Sequence, residues 1–140
     1  RIRIAWLGDS RAYWIGPDDA KQLTHDHSWV HEVVAAGELT AEEANDSKNA
    51  HAITRWLGAD APEDASPSIA EFEAPGPGFL LLCTDGLWNY APGTEALADL
   101  ARSSGSDAIA IARTLVSFAN RSGGHDNITA AVFIWPEQSL

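Results

Sequence analysis

An α+β layered domain is the fold class this sequence predicts, and three observations predict it. Short apolar runs of strand length occur near both ends of the chain, at 2–7, 11–15, 79–83 and 128–135. Between them apolar residues recur at helical spacing behind capping residues, most clearly over 107–120. The 140 residues are 45% hydrophobic, enough for one ordinary domain with a core.

The elements follow in order. Arg1 to Leu7 begins by alternating charged and apolar residues, and Gly8-Asp9-Ser10 is turn chemistry before Arg11 to Ile15. That pattern reads as a β-hairpin ended by Gly16-Pro17. Trp29, Val30, Val33 and Val34 keep helical spacing behind the capping residue Ser28, and Gly37 stops them. A second short helix is predicted from Thr40, which forms a capping-box pattern with Glu43, to about Asn45.

Ala52 to Leu57 reads as a strand, and a Pro, Asp and Ser linker over 61–67 connects it to a strand from Ile69 to Phe72. Pro75-Gly76-Pro77-Gly78 forces a turn. Phe79 to Cys83 is continuous apolar and too short for a helix, so it reads as a buried strand that Thr84-Asp85-Gly86 ends. Helices are predicted from Thr94 to Arg102 and from Asp107 to Asn120, the second with Ile109, Ala112, Leu115, Val116 and Ala119 on one face. A glycine-rich loop over 122–127 leads into a last strand, Ile128 to Trp135.

Composition excludes several function classes. A net charge of −11 disfavours a nucleic-acid partner, whose affinity comes largely from cationic contacts. The longest apolar run, Ala130 to Trp135, is far below the about 20 residues of a spanning helix, so the chain carries no membrane segment. Cys83 is the single cysteine and closes no internal disulfide, which suits a reducing, cytoplasmic setting. The sequence holds no methionine and begins at Arg1 inside a strand-like pattern without a signal peptide, so an excised or processed piece is expected.

Two carboxylates stand where an apolar strand meets a glycine-containing loop: Asp85 after Phe79 to Cys83, and Asp126 before the last strand. Paired carboxylates at strand ends suit hard divalent cations such as Mg²⁺ and Mn²⁺. Taken singly, each also reads as a local turn residue, Asp85 capping and Asp126 closing an Asx-turn.

Five segments together carry more. Gly8-Asp9-Ser10-Arg11-Ala12-Tyr13, Leu23-Thr24-His25-Asp26-His27-Ser28, Ile53-Thr54-Arg55-Trp56-Leu57-Gly58, Leu82-Cys83-Thr84-Asp85-Gly86-Leu87-Trp88 and Gly124-His125-Asp126-Asn127-Ile128-Thr129 run in one order along the chain. In this the sequence resembles the PPM family, metal-dependent Ser/Thr protein phosphatases of the 2C type. The resemblance implies a four-layer αββα sandwich of antiparallel sheets flanked by helices, with its N-terminal part missing and residues 1–140 forming the C-terminal portion of a single catalytic domain.

It also implies roles. Asp85 and Asp126 match positions that bind a catalytic Mn²⁺ or Mg²⁺, and Asp9 matches a position that holds a third, weaker ion in some members. Two such ions about 3.5–4 Å apart activate water and steady the attacking and leaving oxygens of in-line phosphoryl transfer. The implied substrates are phosphoserine and phosphothreonine proteins, Ser/Thr kinases and their targets among them. Family members carry a further Asp-Gly motif, an acidic partner, a phosphate-binding Arg and a general-acid His upstream of the Gly-Asp-Ser turn. No residue here matches these, so the catalytic residues are left unassigned, Arg1, Arg3, Arg11 and Arg55 are not given to phosphate, and the chain alone is expected to be inactive.

Three other readings compete. The parent could be a pseudophosphatase or phosphoprotein-binding module, against which the presence of both Asp85 and Asp126 counts. A GDS-type esterase would need a later Asp-x-x-His, and no histidine here has Asp three residues before it. His25, His27 and His31 invite zinc, but without a nearby cysteine or an HExxH arrangement they read as solvated surface histidines.

Overall fold

The computed structural model describes residues 1–136. Its strands are β1 (Ile2–Trp6), β2 (Arg11–Ile15), β3 (Ala20–Gln22), β4 (Ser68–Phe72), β5 (Gly78–Cys83) and β6 (Ala130–Trp135). Its helices are α1 (Trp29–Ala35), α2 (Ala41–Asn45), α3 (Asp85–Trp88), α4 (Thr94–Arg102) and α5 (Ala108–Ser122).

The expected β1–β2 hairpin is not formed. β1 pairs antiparallel with β4, Ile4 opposite Ala70, whereas β2 lies in a second antiparallel sheet of order β3-β2-β5-β6. Burial explains the difference. β1 alternates, hiding Ile2 and Ile4, but β2 hides Ala12, Tyr13, Trp14 and Ile15 in succession and so needs cover on both faces. Gly8-Asp9-Ser10 is therefore a corner that carries the chain from one sheet to the other, with Gly8 in the left-handed region at φ 101°.

Two cores result. Ile2 and Ile4 meet Ala12 and Trp14 between the sheets, with Phe72, Ala74 and Leu80 around them. On the far face of the larger sheet, Tyr13, Ile15, Leu81 and Cys83 pack against Leu97, Ala98 and Ala101 of α4 and Ile111, Leu115 and Ala119 of α5. Full burial of a Leu or Ile side chain contributes about 1.5–3 kcal/mol, so Leu97, Ile111 and Leu115 anchor this layer. The outer face of β1 and β4 stays open, with Ile69 65% exposed and Arg3 paired to Glu71. The described residues thus build helix, sheet and sheet of the αββα order.

The α5 face is the expected one only in part: Leu115 and Ala119 are buried as expected, but their stripe runs through Ile111 rather than Ile109. Ile111, Leu115 and Ala119, four apart, are the buried stripe, while Ile109 is 62% exposed. Both stripes are apolar, and only the sheet's position selects between them. Residues 52–57 form no strand, only a bridge from Ser28 to Ile53; Leu57 is 87% exposed and has no face to bury against. β3 and the one-turn α3 were not foreseen. The caps were: Ser28 accepts from His31 N–H, and Thr40 forms its capping box with Glu43.

Candidate metal centre

Strand register assembles the site. Cys83 at the end of β5 stands opposite Arg11 at the start of β2 and Ala130 at the start of β6. Antiparallel pairing therefore brings the corner before β2, the chain after β5 and the loop before β6 to one end of the sheet. Asp9, Asp85 and Asp126 sit in those three segments.

The segments are tied together. Thr84 N–H donates to Thr129 O, Thr84 Oγ1 donates to Asn127 O (3.2 Å), and Thr129 N–H donates to Thr84 Oγ1 (3.0 Å). Gly86, buried in α3, lies against the Asn127 backbone so closely that a Cβ there would overlap the Asn127 carbonyl. Trp88 Nε1 donates to Asp9 O at 3.0 Å and so joins α3 to the corner.

Asp9 and Asp85, both half-buried, line one cavity of about 490 Å³ with Arg11, Asp26 and Trp88. The segments 24–31 and 41–53, which carry α1 and α2, form its other wall. Burial, and then the charge of Asp85, push the Asp9 carboxyl above the usual carboxylate range. Asp126 is exposed and outside that lining, and its Oδ1 accepts from the adjacent Asn127 N–H at 2.7 Å, a local bond one residue short of the Asx-turn pattern. The structure thus joins Asp9 to Asp85 in a cavity and leaves Asp126 beside them at the sheet end. Among the described residues, no three His, Cys, Asp or Glu side chains form a group arranged to hold a metal ion.

Arg11 is held by three neighbours. Its Nε and Nη2 donate to the two carboxylate oxygens of Asp26 (2.9 and 2.7 Å), Nη1 donates to Tyr13 Oη, and its plane lies 3.6 Å over the Trp88 ring. Asp26, Tyr13 and Trp88 thereby fix the direction of the guanidinium at the cavity wall. Sequence reasoning missed this cluster because its members stand up to 77 residues apart in the chain; Arg11, Asp26 and Trp88 were visible only as letters inside the matched segments.

One histidine needs a correction, whereas His25 and His31 are exposed as expected. His27 is not a solvated surface residue but 3% exposed, and its ring nitrogens meet Gly8 N–H and Ser68 Oγ. His25 stacks on His31 at 4.8 Å. With both His27 nitrogens taken, the three do not form a zinc site. Ser10 is exposed and leads into β2 rather than a helix, unlike an esterase nucleophile block. Cys83 is buried, and burial pushes its thiol up to about 12, so it packs as an inert apolar group.

Comparison with known proteins agrees with the arrangement. The family model for protein phosphatase 2C matches residues 1–128. Protein phosphatase PhpP of Streptococcus pneumoniae is 38% identical over 137 residues, which are 96% of this chain and 53% of that protein. The solved serine/threonine phosphatase of S. agalactiae superposes with a TM-score of 0.82 at 31% identity, covering 95% of this chain and 54% of that one. A solved catalytic domain of the serine threonine protein phosphatase PstP, in complex with two manganese ions, superposes with a TM-score of 0.67 at 27% identity, covering 93% and 51%. The chain spans about half the length of the curated relatives it matches. By motif order, sheet architecture and family match, this chain belongs to the protein phosphatase 2C family.

Proposed function

We propose that this chain forms part of a phosphatase that removes phosphate from phosphoserine and phosphothreonine in proteins, and that Asp9, Asp85 and Asp126 serve its metal centre. The observation that carries the reading is the common row of Arg11, Cys83 and Ala130, because it gathers three carboxylate-bearing segments at one sheet end. The donor set is oxygen only, and two of its carboxylates repel each other in one half-buried cavity. Such a set fits a hard divalent cation, Mn²⁺ or Mg²⁺; the two manganese ions of the PstP structure support the first. When bound, the ions supply charge neutralisation and an activated water for in-line phosphoryl transfer.

The chain's own contribution is to hold and shield. Asp9 and Asp85 offer ligands from rigid strand ends, Asp126 adds one from the loop before β6, and Trp88 walls the cavity. Arg11 keeps Asp26 neutralised, so the nearby negative charge is concentrated on the ligands. With Asp9 and Asp85 in the cavity and Asp126 outside its lining, the 140 residues alone are expected to hold metal weakly and to turn over little or no substrate. We read residues 1–140 as part of one catalytic domain, acting on phosphoproteins, Ser/Thr kinases and their targets included, in a reducing cytoplasm that suits the unpaired Cys83.

The test is Mn²⁺-dependent hydrolysis of a phosphothreonine peptide by the full-length protein. Asp85→Asn and Asp126→Asn should each lower the rate by about 10²-fold or more, as loss of a metal ligand does. Unchanged rates at saturating Mn²⁺ overturn the assignment, and a wild-type protein that binds phosphopeptide without hydrolysing it makes the fold a binding module instead.

A further inference from the structure

His27 grips Gly8 from two directions. Its backbone N–H donates to the Gly8 carbonyl at 2.9 Å, and Gly8 N–H donates to its Nδ1 at 3.0 Å. An Nδ1 that accepts leaves the ring proton on Nε2, which donates to Ser68 Oγ at 2.8 Å where β4 begins. The ring lies parallel to the Trp6 indole at 6.0 Å and is met edge-on by His25. Every polar atom of the imidazole is thus occupied by structure.

What the grip controls is the next residue. Gly8 has a glycine's wide conformational freedom and stands at φ 101°, so a small rotation there would swing Asp9 through a large arc. On the other side, the Asp9 carbonyl is held by Trp88 Nε1. The corner is pinned immediately before and immediately after the Asp9 side chain.

We propose that His27 is a positioning residue of the metal centre: by clamping the Gly8 peptide it aims the Asp9 carboxylate into the cavity shared with Asp85. The proposal rests on the reading of Asp9 as a metal ligand. His27 acts through Gly8 and touches neither ion nor substrate. Partners that orient a ligand typically change metal affinity about 10–100-fold when removed.

The test separates the clamp from simple packing. Asn at position 27 sets an amide oxygen where Nδ1 stands and keeps an acceptor for Gly8; Gln carries its amide out towards Ser68 and does not. In the full-length protein, Mn²⁺ binding is followed by electron paramagnetic resonance of the free ion, and Gly8 by amide hydrogen exchange. His27→Gln should weaken by about tenfold the class of Mn²⁺ sites that Asp9→Asn weakens, and should lose Gly8 amide protection. His27→Asn should stay within about threefold of wild type although both variants lose comparable thermal stability, which a merely structural role would not produce. Equal weakening by both variants, or wild-type binding by His27→Gln, overturns the proposal. If Asp9→Asn leaves the isotherm unchanged, the ligand reading fails and takes the clamp with it; if Asp9→Asn weakens binding and His27→Gln does not, the clamp alone fails. Should His27→Gln not fold, Ser68→Ala, which frees the ring tautomer, should weaken the same class about threefold, and no change there is equally fatal.

Discussion

Gly86 and Asn127 touch through their backbones, with no room between them for a methyl group. One follows Asp85 and the other follows Asp126, so the contact sets the spacing of the two motif loops. Gly86→Ala must push them apart, costing about 1–3 kcal/mol as overpacking does. Gly76, in the turn before β5 with open space around its Cα, is the control. Urea unfolding should show a clear loss for Gly86→Ala and almost none for Gly76→Ala, and Mn²⁺ affinity of the full-length protein should fall for the first alone.

The Arg11 guanidinium is held edge-on by Asp26 and face-on by Trp88, with the two charged side chains only 18% and 13% exposed. Breaking one partner of such a pair strands the other, a cost of about 3–5 kcal/mol when fully buried. Arg11→Ala should approach that range, and Arg11→Lys should lose less, keeping the charge but neither the fork nor the stack. An Arg11→Met, Asp26→Leu double variant should recover part of the loss. A penalty for Arg11→Ala below about 1 kcal/mol would mean the pair is effectively solvated.

Burial, followed by the charges of Arg55 and His25, holds the His27 imidazole below its ordinary pKa of 6.5, while Glu32 opposes them. A lowered folded value means that folding favours the neutral ring. Its contribution is therefore complete above that ordinary value and is lost as pH falls below it. Between about pH 7.5 and pH 5.5 the wild-type stability should decline more steeply than that of His27→Asn, read from urea midpoints. Asp9 has the opposite sign, since its raised carboxyl favours the protonated form, but it acts at the more acidic carboxylate range.

Ile111 and Ile109 distinguish the two apolar stripes of α5. Ile111 is fully buried against the larger sheet and Ile109 faces outward. Ile111→Ala should cost about 2–5 kcal/mol through lost contacts and the cavity left behind. Ile109→Ala should stay within about 0.5 kcal/mol. Comparable losses at both positions would mean that α5 packs on a different face.

Local chemistry was legible in the chain. Ser28 and Thr40 with Glu43 mark helix starts because a cap is satisfied within four residues, and Pro75 to Gly78 marks a turn for the same reason of short range. The ordered motifs named the family and pointed to Asp9, Asp85 and Asp126. Partner choice was not legible. Gly8-Asp9-Ser10 announces a change of direction, but whether β1 folds back on β2 or departs for β4 depends on where sixty residues of intervening chain return. The Ile111 side of the α5 face, the burial of His27 and the Arg11–Asp26–Trp88 cluster escaped the sequence for a related reason. Each is decided by groups distant along the chain, whose approach is fixed by how two sheets and a helical layer share one volume, and no local preference encodes that.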